Sequence, residues 1–176
     1  TTTRTIYFTL KSGVAVYGGF AGGEVSRGER DWRRNATILS GDIGVGTADS
    51  YHVVVAPASG NAVLDGFTVR DGYADGTAPL NEGAGFFAAA GAGTATLRNI
   101  FFTANQAPNF TGGAVSIRLG GNVVEQCIFQ GSSAKFGGGL YADNAVSVSS
   151  CIFVGNTATT GGLGTAVYSS GGITLQ

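Results

Sequence analysis

Few residues in this chain of 176 have the types and spacing that catalysis requires. Its one histidine, His52, lies in a valine-rich run, and no Ser–His–Asp arrangement can be assembled around it. A lone histidine in such a run is more often packed or solvent-facing than catalytic. The glycine-rich strings do not follow the strand-then-helix pattern of a phosphate-binding loop. The sequence therefore predicts no catalytic residue and favours a protein that is not an enzyme.

Four carboxylates are the candidate ligands for a metal ion. Asp42 and Asp49 lie on one glycine-rich segment, and Asp71 and Asp75 on another. If the two segments meet on one face of the fold, their oxygens are the hard ligands that Ca²⁺ prefers. Neither pair has a fixed ligand spacing, however, and aspartate is common in turns for conformational reasons alone. No cofactor is therefore predicted, and Ca²⁺ is the alternative.

The composition limits the kind of fold that can position these residues. Glycine accounts for 31 residues and charged residues for 12% of the chain, against usual values of about 7% and about 25%. Hydrophobic residues make up 43%, too many for a disordered chain, and no apolar run is long enough for a membrane-spanning helix. The net charge of −1 gives no footprint for nucleic acid. We expect one β-rich domain over residues 1–176, with neither a nucleic-acid partner nor a membrane span.

A short apolar pattern recurs through the second half of the chain. Apolar residues occupy the first, fourth and sixth positions of six-residue segments that begin at Leu64, Leu97, Val124 and Val148. A second, glycine-rich series runs through 83–87, 112–115, 137–141 and 164–168. Repeats of 24 to 33 residues are too short for propeller blades and lack helical periodicity. They predict an all-β parallel β-helix, a solenoid of about six to seven coils.

Stacked coils would place equivalent residues in columns about 4.8 Å apart. The first predicted core ladder consists of Val69, Phe102, Phe129 and Phe153. The second consists of Phe86, Val115, Leu140 and Val167. Both ladders are expected to face inward and to fill the core.

Two further columns contain polar or reactive side chains. Cys127 and Cys151 fall beside the first ladder, where we expect neighbouring free thiols of the core, with a disulfide as the alternative. Asp65, Arg98 and Glu125 share a column with alternating sign of charge. Stacked opposite charges help to fix the register of adjacent strands, so we interpret this column as structural.

The densest cluster of charge lies in the segment 21–34, where seven charged residues surround Trp32. One interpretation is an exposed binding loop. The favoured one is a lateral excursion, with a helical turn, held against the coil by Trp32 and internal ion pairs. The other segments expected to leave the coils are about 44–50, 72–82 and 106–111.

Several motifs resemble those of secreted bacterial right-handed β-helix repeat proteins. In the first half they are residues 17–22, 30–32, 35–43, 50–54 and 63–68. Gly112-Gly113-Ala114-Val115 and Phe153-Val154-Gly155-Asn156 are similar to the GGA[ILV] and FxxN repeats of chlamydial polymorphic outer-membrane proteins, from which Gly164-Thr165-Ala166 and Ser132 depart. The resemblance implies a right-handed, single-stranded coil and an extracellular or cell-surface location. It implies no chemistry, since such proteins are known mainly as surface or adhesin-like molecules.

The two ends suggest how the molecule assembles. No capping helix, methionine or signal-peptide segment is present, so we expect a processed product or a fragment. An uncapped solenoid exposes unpaired backbone groups above an apolar core. We expect a second copy to stack head to tail, giving a homopolymeric filament; the alternative is a piece of a longer β-helix. The contact residues would be Thr1, Thr2, Thr3, Thr5, Ile6, Tyr7 and Phe8 at one end, and Ile173, Thr174, Leu175 and Gln176 at the other.

Two other functions stay open. A carbohydrate- or host-binding adhesin segment, with surface glycans as partners, would show an exposed aromatic row, for which Tyr141, Tyr168 and Tyr73 are the candidates. A pectate-lyase-like enzyme that degrades polysaccharides would need the four aspartates to converge beside Arg70 or another basic residue.

Overall fold

The computed structural model describes residues 3–44 and 49–176. The chain is all-β, and Arg27–Glu29, a 3₁₀ helix, is the helical part of the described residues. None of those residues forms a helix long and apolar enough to cross a membrane. In chain order the strands are β1 (Phe8–Thr9), β2 (Ala15–Tyr17), β3 (Thr37–Ser40), β4 (Val54–Val55), β5 (Asn61–Asp65), β6 (Phe67–Arg70), β7 (Phe86–Ala88), β8 (Thr94–Arg98), β9 (Phe101–Thr103), β10 (Gln106–Thr111), β11 (Val115–Ile117), β12 (Val123–Glu125), β13 (Ile128–Gln130), β14 (Ser133–Phe136), β15 (Leu140–Ala142), β16 (Val146–Ser149), β17 (Ile152–Val154), β18 (Thr157–Leu163), β19 (Val167–Ser169) and β20 (Ile173–Leu175).

These strands form four parallel sheets whose neighbouring strands come from successive repeats. The first sheet has the order β1-β4-β7-β11-β15-β19, and the second β2-β5-β8-β12-β16-β20. The third runs β3-β6-β9-β13-β17, and the fourth β10-β14-β18. Each of the six repeats therefore contributes a strand to the first sheet and then to the second; five of them add a strand to the third sheet, and three add one to the fourth.

Large apolar residues in register hold the third sheet together. Val69 pairs with Phe102, Phe102 with Phe129, and Phe129 with Phe153. The rings of Phe102 and Phe129 stack with centroids 5.0 Å apart, and those of Phe129 and Phe153 with centroids 4.5 Å apart. Full burial of one such side chain contributes roughly 1.5–3 kcal/mol. The column is therefore a major source of stability and fixes which strands pair.

The inner faces of the first three sheets share one core. Phe86, Val115, Leu140 and Val167 are in register across the first sheet, and Leu64, Leu97, Val124 and Val148 across the second. These residues and the phenylalanine column belong to a single hydrophobic cluster. A separate small cluster lies at the fourth sheet and consists of Ala74, Ala84, Ala107 and Ala134.

A single residue turns the chain between the second and third sheets. Gly66, Asn99, Gln126 and Ser150 occupy this corner with φ of 86°, 53°, 55° and 51°. Glycine adopts this left-handed conformation freely, whereas for other residues it costs conformational free energy on the order of 1 kcal/mol or more. The same backbone geometry therefore recurs at this corner in four repeats, although glycine occupies only one of the four positions.

The segments expected to leave the coils behave differently from one another. Segment 21–34 leaves the sheets and contains the 3₁₀ helix, and 72–82 has only an isolated bridge from Tyr73 to Gln106. Segment 106–111 instead forms strand β10, in register with β14 through Ala107 and Ala134. It lacks large apolar residues at its buried positions, which is why its sequence suggests a loop. Within 44–50, residues 45–48 lie outside the described residues.

Candidate functional site

The predicted carboxylates gather near Arg4, which the sequence did not single out. Arg4 Nη1 pairs with Asp75 Oδ1 at 2.7 Å, and its Nε donates to the backbone oxygen of Asp49 at 2.6 Å. Asp71 pairs with Arg70 Nε at 3.1 Å. Two arginines thus neutralise much of the negative charge at this corner.

The ionisation of Asp49 shows how the carboxylates influence one another. Burial raises the pKa of Asp49, the charges of Asp42 and Asp71 raise it further, and Arg4 opposes them. No three acidic, cysteine or histidine side chains within the described ranges converge in the way that a metal ion requires. We call this cluster of Asp42, Asp49, Asp71 and Asp75, paired in part with Arg4 and Arg70, the acidic corner. Calcium binding there stays a prediction.

His52 occupies a packed position. Its side chain is buried, and Nδ1 lies 3.2 Å from the backbone oxygen of Gly83. The imidazole stacks on the Phe87 ring with centroids 4.9 Å apart. Burial lowers the pKa of His52 by more than the nearby carbonyl groups of Gly83 and Glu82 raise it. The ring is therefore neutral near pH 7 and acts as part of the packing.

The two cysteines are free thiols in adjacent repeats. The backbone N–H of Ile152 donates to the Cys127 oxygen at 2.9 Å, which places the cysteines side by side. Burial raises the pKa of Cys127 well above its usual range. The neighbouring Cys127 thiol lowers the pKa of the half-buried Cys151 to about 7. Cys151 is therefore the thiol that ionises first.

In the predicted column of Asp65, Arg98 and Glu125, one ion pair forms within the column and another with Arg30, which comes from segment 21–34. Arg98 pairs with Glu125, and its Nε lies 2.6 Å from Glu125 Oε1. Asp65 instead pairs with Arg30 Nη2 at 2.8 Å and accepts a hydrogen bond from Asn99 Nδ2 at 2.8 Å. Arg30 thereby attaches segment 21–34 to the corner between the second and third sheets.

Trp32 stands beside the outer face of the third sheet. The backbone N–H of Asp31 donates to Gly19 oxygen at 2.9 Å, and a Cβ at Gly19 would lie 2.6 Å from Trp32 Cα. Glycine at position 19 is thus needed for this close approach. Two cavities of about 380 Å³ and about 250 Å³ lie between this segment and the sheet and share Trp32, Arg33 and Ile128. We call them together the Trp32 groove, lined chiefly by Trp32, Arg33, Phe101, Ile128, Gln130 and Ile152.

The Trp32 groove is not among the sites predicted from the sequence. The signal available was the fifth position of the repeated segments, where Phe101, Ile128 and Ile152 are apolar although they must face away from the core. The tyrosines suggested for an exposed aromatic row are placed differently. Tyr141 is buried and stacks on the half-buried Tyr168 with ring centroids 5.8 Å apart, and Tyr73 is also half-buried.

The ends of the sheets expose apolar residues of the inner columns. At the first end Phe8 is 53% and Val16 39% exposed, and at the other Leu175 is 63% exposed. A cavity of about 200 Å³ opens at the first end and is lined by Phe8, Leu10, Val16 and Leu39, among others. Thr3, Thr5, Ile6, Tyr7, Thr174 and Gln176 are exposed, Ile173 is half-buried, and Thr1 and Thr2 lie outside the described residues.

Comparisons of the chain with known protein families, with curated proteins and with solved structures find no match. Function must therefore be inferred from the residues and the geometry described above.

Proposed function

We propose that this chain is an extracellular structural protein, a right-handed single-stranded parallel β-helix that stacks on further copies of itself into a cell-surface filament. The observation that supports the stacking is the exposure of inner-column residues at both ends: Phe8 and Val16 at one, Leu175 at the other. Catalysis is not part of the proposal, since His52 is packed; the acidic corner beside Arg4 and Arg70 is where the alternative function, a polysaccharide lyase, would have its site.

The order of the strands supports a right-handed coil. Successive repeats visit the sheets in the same order, so consecutive strands of one sheet are joined by a crossover to a parallel neighbour. About 98% of such crossovers are right-handed, because a twisted strand packs back onto its sheet in that sense. Six strands in each of the first two sheets correspond to a rod of roughly 30 Å at about 4.8 Å per strand. The extracellular location rests on the resemblance of the repeats.

A second copy is the partner that the ends fit. Val16 and Leu175 terminate the same inner column, since Val16 pairs with Leu64 at one end and Val148 with Leu175 at the other. A copy translated along the axis would extend this column and offer a parallel strand to each exposed edge of the first two sheets. Such a contact joins two different surfaces and does not close on itself, so it produces a filament.

Charged substitutions at the two ends test the proposal. Val16→Lys blocks one end and Leu175→Lys the other, so each variant alone is expected to remain monomeric in analytical ultracentrifugation while the unmodified chain forms larger species. In a mixture, the Val16→Lys variant offers an intact Leu175 end and the Leu175→Lys variant an intact Val16 end. These two ends can bind each other, so the expected product is a dimer that grows no further. Val25→Lys, at a side chain 92% exposed in segment 21–34, is the matched control and should assemble like the unmodified chain.

Circular dichroism shows whether each variant retains its strands. The proposal is wrong if the unmodified chain stays monomeric at every concentration, or if either folded lysine variant still forms long species. Electron microscopy of the assembled chain should show unbranched fibres.

A further inference from the structure

The outer face of the third sheet has an apolar column where water-facing residues are expected. Ile38, Phe101, Ile128 and Ile152 are its apolar members; together with Thr68, which lies between Ile38 and Phe101, they are in register on five successive strands, with side chains pointing away from the core. Ile38 is 49% exposed and Ile152 54%. Exposed faces of sheets usually carry polar residues, and a contiguous apolar stretch rimmed by polar groups marks a binding surface.

A polar column runs beside the apolar one. Arg70 pairs with Thr103 and Thr103 with Gln130 in the same strands, two residues beyond the apolar positions. The two columns place an apolar surface and a row of hydrogen-bonding groups side by side, both repeating once per strand. The two columns together form a strip across β6, β9 and β13, and this strip borders the Trp32 groove.

Trp32 is held rigidly on the other side of the strip. The Arg30–Asp65 ion pair and the Asp31 N–H to Gly19 oxygen hydrogen bond fix the backbone immediately before it. The resulting cavity of about 380 Å³ between Trp32 and Phe101, Ile128 and Gln130 is of the size that ligand pockets have. An aromatic wall, an apolar floor and a polar rim thus already exist without a ligand.

The groove carries positive charge. Among the described residues that line its two cavities, Arg33 is the charged one, and its guanidinium lies 4.9 Å from the centre of the Trp32 ring. Within residues 3–44 and 49–176 Arg33 forms no ion pair, and the nearby Asp31 carboxylate accepts hydrogen bonds from the backbone N–H groups of Arg33 and Arg34. The groove therefore complements an anion.

We propose that the Trp32 groove binds an acidic glycan, a linear chain of sugar rings that carry carboxylate or sulfate groups. The C–H face of a pyranose ring packs on the aromatic and aliphatic side chains, its hydroxyls reach Gln130 and Thr103, and its acidic group pairs with Arg33. A peptide strand does not fit, because β6, β9 and β13 already have neighbours on both sides and offer no free edge. A neutral apolar ligand would leave Arg33 and the polar column unused.

Intrinsic fluorescence gives a direct test, because Trp32 is the one tryptophan in the chain. A short oligomannuronate and a dextran sulfate are titrated as the carboxylate and sulfate probes, with neutral dextran and polyglutamate as controls for sugar and for charge. At least one acidic glycan should cause a saturable change in the emission of Trp32. Neutral dextran and polyglutamate should bind at least about tenfold more weakly. Dextran lacks the acidic group that pairs with Arg33, and polyglutamate lacks the sugar rings that pack on the apolar side chains.

Two substitutions locate the site. Arg33→Gln should weaken binding about tenfold or more, whereas Arg34→Gln, which removes the neighbouring exposed charge outside the two cavities, should leave it unchanged. Ile128→Thr keeps a β-branched residue on the sheet and should also weaken binding. The proposal fails if no probe gives a saturable change, if dextran or polyglutamate binds as well as the acidic glycans, or if Arg33→Gln and Arg34→Gln behave alike. Its failure leaves filament assembly unaffected, because the groove lies on the side of the sheets and not at their ends.

Discussion

A cysteine thiol usually ionises near pH 8.5, so its neighbours decide whether it reacts at neutral pH. Cys127 is buried and keeps its proton, and its thiol beside Cys151 lowers the pKa of Cys151. Two cysteines in equivalent positions of successive repeats therefore have different chemistry. The difference arises because Cys127 directly precedes β13, which has a strand on both sides, whereas Cys151 directly precedes β17, an edge strand of the third sheet.

The rate of alkylation by iodoacetamide tests this coupling. Cys151 should react with a pH midpoint of about 7, and Cys127→Ala should shift that midpoint upward, toward the usual value of roughly 8.5. Mass spectrometry of the digested protein assigns the labelled residue. In Cys151→Ala, the buried Cys127 should stay unlabelled over the same pH range. Preferential labelling of Cys127, or an unchanged midpoint in Cys127→Ala, would contradict the proposed coupling between the two thiols.

At the scale of elements, segment 21–34 depends on one buried ion pair. The side chains of Arg30 and Asp65 are 13% and 3% exposed, whereas those of Arg98 and Glu125 are 44% and 25% exposed. Removing one partner of a buried pair leaves an uncompensated charge, which costs about 3–5 kcal/mol, while an exposed pair contributes about 0–1 kcal/mol. The two pairs lie on the same sheet corner and differ mainly in burial.

Methionine substitutions compare the two pairs while keeping most of the apolar stem of arginine. We expect Arg30→Met to lower the free energy of unfolding by about 3 kcal/mol or more, and Arg98→Met by less than about 1 kcal/mol. Urea unfolding followed by circular dichroism measures both, and the Trp32 emission of Arg30→Met should also shift as the segment detaches. Equal losses in the two variants would show that Arg30 does not anchor the segment.

The strands and turns differ in how well the sequence predicts them. The phenylalanine column is predictable because large apolar residues recur at fixed positions and can be buried only when strands pair in that register. Strand β10 is not, since alanines such as Ala107 give little hydrophobic signal. The corners at Asn99 and Gln126 are also hidden, because their left-handed backbone is imposed by the stacked repeats and not by glycine. In the Trp32 groove, the apolar fifth position of the repeats indicates the floor at Phe101, Ile128 and Ile152, but no local pattern brings Trp32 to it from a distant part of the sequence.

At the scale of the whole molecule, the strands of each repeat pair with those of the adjacent repeats and form a stack. Stability in such a stack is roughly a sum of repeat terms and interface terms, so the terminal repeats, which lack one neighbour, open most easily. Phe102 and Phe129 are completely buried in the middle of the stack, whereas Val16 and Leu175 are exposed at its ends. The resistance of backbone amides to exchange should follow the same gradient.

Hydrogen exchange followed by mass spectrometry connects this gradient to assembly. In dilute solution the amides of β9 and β13 should exchange slowest, and those of β2 and β20 fastest. At concentrations where filaments form, β2 and β20 should become protected while the central strands change little, because only the ends gain a neighbour. In Leu175→Lys the end strands should exchange rapidly at every concentration. Protection that rises evenly along the chain, or that appears on the side of the third sheet, would show that the copies associate through another surface.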